Sequence, residues 1–228
     1  MPVRSPDILF RSDEIILADK PAGILTTGEK GDRDTLEARI QAGFGPGVKA
    51  LHRLDRETSG VVALAAGEAA RRRLEPLFRR HETERVYLAL VLGTFRENEG
   101  SLRNYLRTDP RTHTEQVTYN PRFGVEARLG YRVLQSAGGA SLLEIRPETG
   151  RTNQIRVQLA HDGHPVIGDR KYGRGKIYPA MARRTMLHAR SLALLPPGEK
   201  KKVRATSPLP DDFREALAEL AMSAKGLG

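Results

Sequence analysis

The chain has no cysteine and no tryptophan, and aromatic residues make up only 5% of its 228 residues. Without cysteine there can be no disulfide framework, no thiolate nucleophile and no Cys-ligated zinc or iron–sulfur site. Long apolar runs are missing as well. The uninterrupted apolar stretches are short, VVALAA at 61–66 among them, whereas a membrane span needs about 20. The opening MPVRSPDILFRSDE lacks the apolar centre of a signal peptide. These absences favour a soluble, cytoplasmic protein. Acidic residues are the minority among charges. There are 28 of them against 38 Lys and Arg, a net charge of +10.

The positive charge has a particular character. It comes from 29 Arg and 9 Lys, and residues 115–228 carry a net +8 against +2 for residues 1–114. Arg presents a planar fork that suits phosphate and stacks on bases, so the bias points to nucleic acid. At 39% hydrophobic content and this length, a real core can form without staples. No internal repeat, low-complexity block or linker divides the chain, which is expected to form a single domain over 1–228.

Periodicity places the elements. Residues 14–23 read as a buried strand ending in a Pro/Gly turn, and residues 35–41 as a short helix. A strand over 60–66 precedes an amphipathic helix over 68–81, with Ala70, Leu74, Leu77 and Phe78 as its apolar stripe. The arginines around that stripe are read as a solvated face. Strands are expected at 85–92, 129–134, 141–145, 187–195 and 202–205, and helices at 153–161 and 211–222. Strands and helices without regular βαβ alternation indicate an α+β fold with a mixed or mostly antiparallel central sheet flanked by helices.

Two segments concentrate polar chemistry. HRLDRETSG at 52–60 sets Asp55 between Arg53 and Arg56, an environment that favours the charged carboxylate. Such a group can be a base, a nucleophile or a partner in a loop ion pair. TGRTNQIRVQLAHDGHPVIGDRKYG at 149–173 places Arg151 and Asn153 at a helix start, followed by Gln154 and Arg156. A partly buried Arg156 needs a carboxylate, and Asp55 is the candidate that stands out. His161 and His164 are read as ordinary loop histidines rather than metal ligands. Gly-x-Ser-x-Gly, a Walker loop and a dinucleotide glycine motif are all missing, so no cofactor is expected.

Taken together, DKPAG (19–23), HRLDRETSG (52–60), RVYLALVLG (85–93), the 149–173 segment and LHA (187–189) resemble the RluA-type family of RNA pseudouridine synthases. The resemblance covers most of the chain. It implies the pseudouridine synthase catalytic fold, with the active site in a cleft, and isomerisation of uridine in structured rRNA or tRNA. It also implies Asp55 as the catalytic aspartate, Tyr87 as the active-site tyrosine, Arg156 as the arginine paired with the aspartate and Leu187 as a pocket leucine. Arg53 would fill the space left by a flipped nucleotide, and Arg56, Arg151 and Gln154 complete the expected RNA-binding set. Asn153 and Gln158 stand where the family usually has histidine, and Arg85 where it usually has lysine. The small N-terminal RNA-binding domain of many relatives is not expected here, and a monomer is. A non-catalytic RNA-binding module and a two-carboxylate glycosidase are the rival readings. The second would need a partner for Asp55, and Glu57 is the nearest in sequence.

Overall fold

The apolar runs at 15–18, 61–65 and 88–91 are buried from end to end, as strands covered on both faces must be. The computed structural model describes residues 6–28, 32 and 34–227. In chain order, its elements are β1 (Ile8–Arg11), β2 (Ile15–Lys20), α1 (Leu36–Phe44), β3 (Lys49–Ala50), β4 (Ser59–Ala65), α2 (Glu68–Arg79) and β5 (Glu84–Leu92). Then follow β6 (Glu99–Thr108), β7 (Glu115–Thr118), the 3₁₀ turn η1 (Pro121–Phe123), β8 (Val125–Ala137) and β9 (Ala140–Pro147). The last are α3 (Gln154–His161), β10 (Leu187–Leu194), β11 (Val203–Thr206) and α4 (Asp211–Glu219). The architecture is α+β. Two compact units make up the chain: Met1–Arg85 with His188–Pro208, and Val86–Leu187 with Leu209–Gly228.

The first unit is built around β4. Antiparallel β2 runs along one edge, from Ile15 opposite Ala65 to Lys20 opposite Gly60, and β1 continues outward from β2. On the other edge, β10 pairs in parallel at Ser59 and Gly60, and β3 pairs antiparallel at Leu64 and Ala65. β11 extends β10. Gly60 has φ +118°, and a Cβ there would lie 2.2 Å from the Ala189 carbonyl oxygen. Only glycine lets β4 and β10 approach so closely at the end of the 52–60 segment.

α2 covers this sheet with Ala70, Leu74 and Leu77, which pack with Ile15, Leu17, Val61, Ala63, Leu192 and Leu194. Each such large aliphatic side chain contributes about 1.5–3 kcal/mol on burial. Phe78, the fourth residue of the expected stripe, is partly buried and stacks on His52 at 5.1 Å. Several arginines of α2 are in ion pairs: Arg71 with Glu68 and Glu75, and Arg73 with Glu14 at 2.6 Å. Two of the four α2 arginines are therefore offset by glutamates.

The second unit is an antiparallel sheet in the order β5-β9-β8-β6-β7. α3 packs on it through Val157 against Leu106 and Ala127. Two strands here went unread in the sequence, β6 and β7, together with the first part of β8. Their residues alternate charge with small and polar groups and are mostly half-buried or exposed. Without a continuous apolar face, their pairing carries the structure and periodicity does not reveal it.

Candidate active site

The 52–60 segment of the first unit is irregular backbone leading into β4, and it is pinned on both sides of Asp55. The Thr26 hydroxyl lies 3.0 Å from the Leu54 N–H and 3.1 Å from the Leu54 carbonyl, so it accepts from one and donates to the other. On the far side, the Arg56 carbonyl accepts from Gly23 N–H at 2.8 Å and from the Lys20 ammonium at 3.2 Å. Lys20 is fully buried and also donates to the carbonyls of Pro21 and Ile24, at 3.0 and 2.8 Å. A buried cation is tolerable only with such partners. The Asp55 carbonyl closes a turn with Thr58 N–H at 3.1 Å. The DKPAG turn thus acts as a clamp on the segment that follows it by thirty residues.

His52 anchors the entrance to the segment. Its Nε2 accepts from Ala63 N–H at 3.1 Å, and its ring lies nearly parallel to Phe78 at 12°. Burial, with Arg85 nearby, pushes its pKa down to about 3. The neutral ring is what the hydrogen bond requires. Asp55 itself is half-buried, while Arg53 and Arg56 are exposed. The fixed backbone therefore presents one carboxylate and two guanidinium groups.

In the second unit, Arg156 leaves α3 and meets Asp169. Nε donates to Oδ2 at 2.7 Å and Nη2 to Oδ1 at 2.9 Å, a parallel fork typical of strong Arg–carboxylate pairs. Asp169 is wholly buried and Arg156 is 11% exposed. Nη1 donates to the Asn153 Oδ1 at 2.9 Å. Asn153 is left-handed, with φ +51°, a conformation asparagine accepts more readily than most residues. Burial pushes the Asp169 carboxyl up, but the hydrogen bond and charge of Arg156 and the N–H groups of Tyr172 and Lys171 together outweigh it. The pKa is held below the usual carboxylate value. The Tyr172 ring lies 5.2 Å from the Arg156 guanidinium carbon, and burial raises its phenol to about 12. Asp169 was missed in the sequence; its only signal was its place within the 149–173 segment, between Gly168 and Arg170.

Gln154 was expected to bind substrate, but it is 4% exposed and its amide is used internally. Oε1 accepts from the Thr149 hydroxyl at 2.8 Å and Arg151 N–H at 3.0 Å, and Nε2 donates to the Arg128 carbonyl at 3.0 Å. It shapes the turn that carries Arg151, which is exposed and donates to the Glu126 carbonyl. Gln158, the second departure from the family histidines, is fully buried. It donates to the Leu102 and Ala127 carbonyls and to Asn104 Oδ1, tying α3 to β6 and β8.

Tyr87 is 8% exposed on β5, opposite Ile145 of β9. Leu187 is 4% exposed, and its carbonyl accepts from Arg184. Arg184 is itself held by a fork to Asp212 at the start of α4, at 2.6 and 2.8 Å. Arg184 and Asp212 were also missed, because nothing local marks a partner 28 residues away. His164 is held within its own unit, with Nδ1–H donating to the Leu92 carbonyl at 2.9 Å and the ring stacked on Phe95. Among the described residues, no group of three His, Asp or Glu side chains is arranged to hold a metal ion.

Sequence comparison now gives the class. The RNA pseudouridylate synthase profile matches residues 14–161, spanning the 52–60 segment, β5 and α3. The chain belongs to the RNA pseudouridylate synthase family and is an enzyme of that kind. Within the family, it is similar to the dual-specificity RNA pseudouridine synthase RluA of Yersinia pestis, 34% identical over 194 residues that cover 83% of this chain and 92% of the relative. RluA of Escherichia coli strain K12 is also 34% identical, over 210 residues covering 90% and 93%. The solved structure of human RNA Pseudouridylate Synthase Domain Containing 1 matches with a TM-score of 0.77 and 27% identity. That match covers 92% of this chain and 86% of the human one.

Proposed function

We propose that this enzyme converts a uridine in an rRNA or tRNA stem-loop to pseudouridine, with Asp55 as the group that acts on the ribose. The observation that carries this reading is the clamp around Asp55. Thr26 fixes the residue before it, and Lys20 and Gly23 fix the residue after it. A reacting carboxylate gains most from a backbone that is already in place.

In the reaction the N1–C1′ bond breaks, uracil turns, and C5 bonds to C1′. The C5 proton leaves and N1 regains one, so atoms balance without cofactor or redox partner. Asp55 acts either by bonding to C1′ or by helping to remove a ribose proton. A paired base is out of reach, so the target must be flipped out at a cost of a few kcal/mol. Arg53 fills the vacancy by stacking, and Arg56 and Arg151 hold the backbone. Tyr87 stacks on uracil and assists the C5 proton, and Leu187 supports the base from below. Gln154 serves by shaping the Arg151 turn.

Arg156 orients Asp55. Arg156 is itself held in place by Asp169 and Asn153. The protein acts as a monomer in the cytoplasm.

RNA transcribed with uridine tritiated at C5 tests the chemistry, because isomerisation releases that hydrogen to water. Wild type is expected to release tritium. Asp55→Asn is expected to release none while binding the RNA within about threefold of wild type. Near-normal release by Asp55→Asn would refute the assignment.

A further inference from the structure

The second unit contains a surface pocket of about 540 Å³, and of the residues lining it the proposed reaction uses only Arg151. That is ample for a nucleotide-sized ligand. Its wall includes Arg107 of β6, Glu115 of β7, Arg122 and Phe123 of η1, Val125 of β8 and Arg151 before α3. Three guanidinium groups around one pocket repel each other. Arginines nearby are neutralised: Arg103 by Glu126 at 2.6 Å, Arg128 by Glu148 at 3.2 Å and Arg146 by Glu144 at 3.0 Å. Among the described residues, Arg107, Arg122 and Arg151 have no carboxylate within ion-pair distance. Glu115 is the pocket's one acid, and it accepts from the Thr108 hydroxyl at 2.8 Å. The cationic groups are nonetheless placed. Arg107 donates through Nε and Nη2 to the Gln116 side-chain oxygen, both at 3.2 Å, and Arg151 donates to the Glu126 carbonyl.

An apolar platform stands among these charges. Phe123 is 66% exposed and Val125 53%. The turn is built to hold the ring outward. Asn120 Oδ1 accepts from Arg122 N–H at 2.9 Å. At Gly124, a Cβ would lie 2.6 Å from the Thr118 side chain and 2.9 Å from Tyr105 Cβ, so the chain after Phe123 lies tight against β6 and β7. An exposed ring amid cations without acidic partners fits a single-stranded nucleic acid, whose base stacks and whose phosphate is held. An acidic peptide would satisfy the arginines but leave the ring face without a planar partner.

We infer that this pocket is an RNA subsite that stacks one unpaired base of the substrate on Phe123 and holds its phosphates with Arg107, Arg122 and Arg151. The choice of RNA as ligand rests on the reading above; the base concerned is not the reacting uridine.

The test is binding of fluorescein-labelled decauridylate and of an abasic ribose-phosphate chain of equal length, at low salt, to the full chain. Phe123→Ala is expected to weaken decauridylate binding about fivefold or more and to leave the abasic chain unaffected. Phe123→Tyr should restore binding. Arg122→Gln should weaken both ligands and reduce the salt dependence. Melting temperatures of all variants should match wild type, since both side chains face solvent. Absence of decauridylate binding by wild type, or loss of neither ligand in Phe123→Ala, would overturn the inference. Tighter binding of decaglutamate than of decauridylate would also overturn it, in favour of an acidic protein segment. Asp55→Asn should bind decauridylate like wild type, so failure of the catalytic assignment and failure of this subsite give different results.

Discussion

Asp169 carries no exposed surface, yet its neighbours hold it ionised in the fold. Removing its charge leaves Arg156 buried beside a neutral amide. Asp169→Asn is expected to cost about 3 kcal/mol, lowering the melting temperature by roughly 6–12 °C. The pH dependence has a definite sign. A carboxyl whose pKa is lower folded than unfolded stabilises above its unfolded value and loses that contribution as pH falls through the folded value. The Asp169 contribution is therefore complete at neutral pH and lost in the acid range below about pH 4, and the variant should lack that limb. His52 acts over a different window. The unfolded imidazole takes up a proton near pH 6.5, and the folded one resists it down to about 3. Wild type should lose stability steadily as pH falls through that interval. His52→Gln can still accept from Ala63 N–H and does not titrate, so its melting curve should be flatter between pH 6 and 4. An unchanged slope would remove His52 from the account.

At the scale of elements, the strand carrying DKPAG and the loop carrying Asp55 behave as one device. Lys20→Met keeps much of the side-chain volume but takes the donor from three carbonyls. It should lower the melting temperature and reduce turnover more than it weakens RNA binding, measured by tritium release and fluorescence titration on the same preparation. Equal losses in all three would mean a merely global effect. The elements legible in the sequence were those with a strong apolar pattern. The strands ending at Lys20, Ala65 and Leu92 and the helix over Glu68–Arg79 are buried on at least one face, and their limits were read within a few residues. Strands β6 and β7 escaped because their pairing partners, not their own residues, determine them. The site divides the same way. Asp55, Tyr87 and Arg156 were proposed from motif order. Asp169, Arg184 and the Lys20 clamp were not, because each acts through a partner or a backbone carbonyl that only the fold brings near.

For the whole molecule, charge sets the terms of binding. The net +10 is not spread evenly. Arginines of α2, β8 and β9 are paired with glutamates, while Arg53, Arg56, Arg122 and Arg151 are exposed. Contacts of that kind release counterions from RNA, so affinity should fall steeply and log-linearly with salt, by about one unit of slope for each phosphate contact removed. That dependence should be similar for Asp55→Asn, since the reaction and the electrostatic hold are separate functions.

The most direct measurement is a pseudouridine map. Purified wild type and Asp55→Asn would each be incubated with unmodified total RNA, and positions scored by reverse-transcription stops at carbodiimide adducts. A new stop is expected with wild type, within an rRNA or tRNA stem-loop, and is expected to be missing with Asp55→Asn. A stop produced equally by both proteins would contradict the role of Asp55. No new stop with wild type, while salt-sensitive binding is intact, would contradict catalysis and leave a module that only binds RNA.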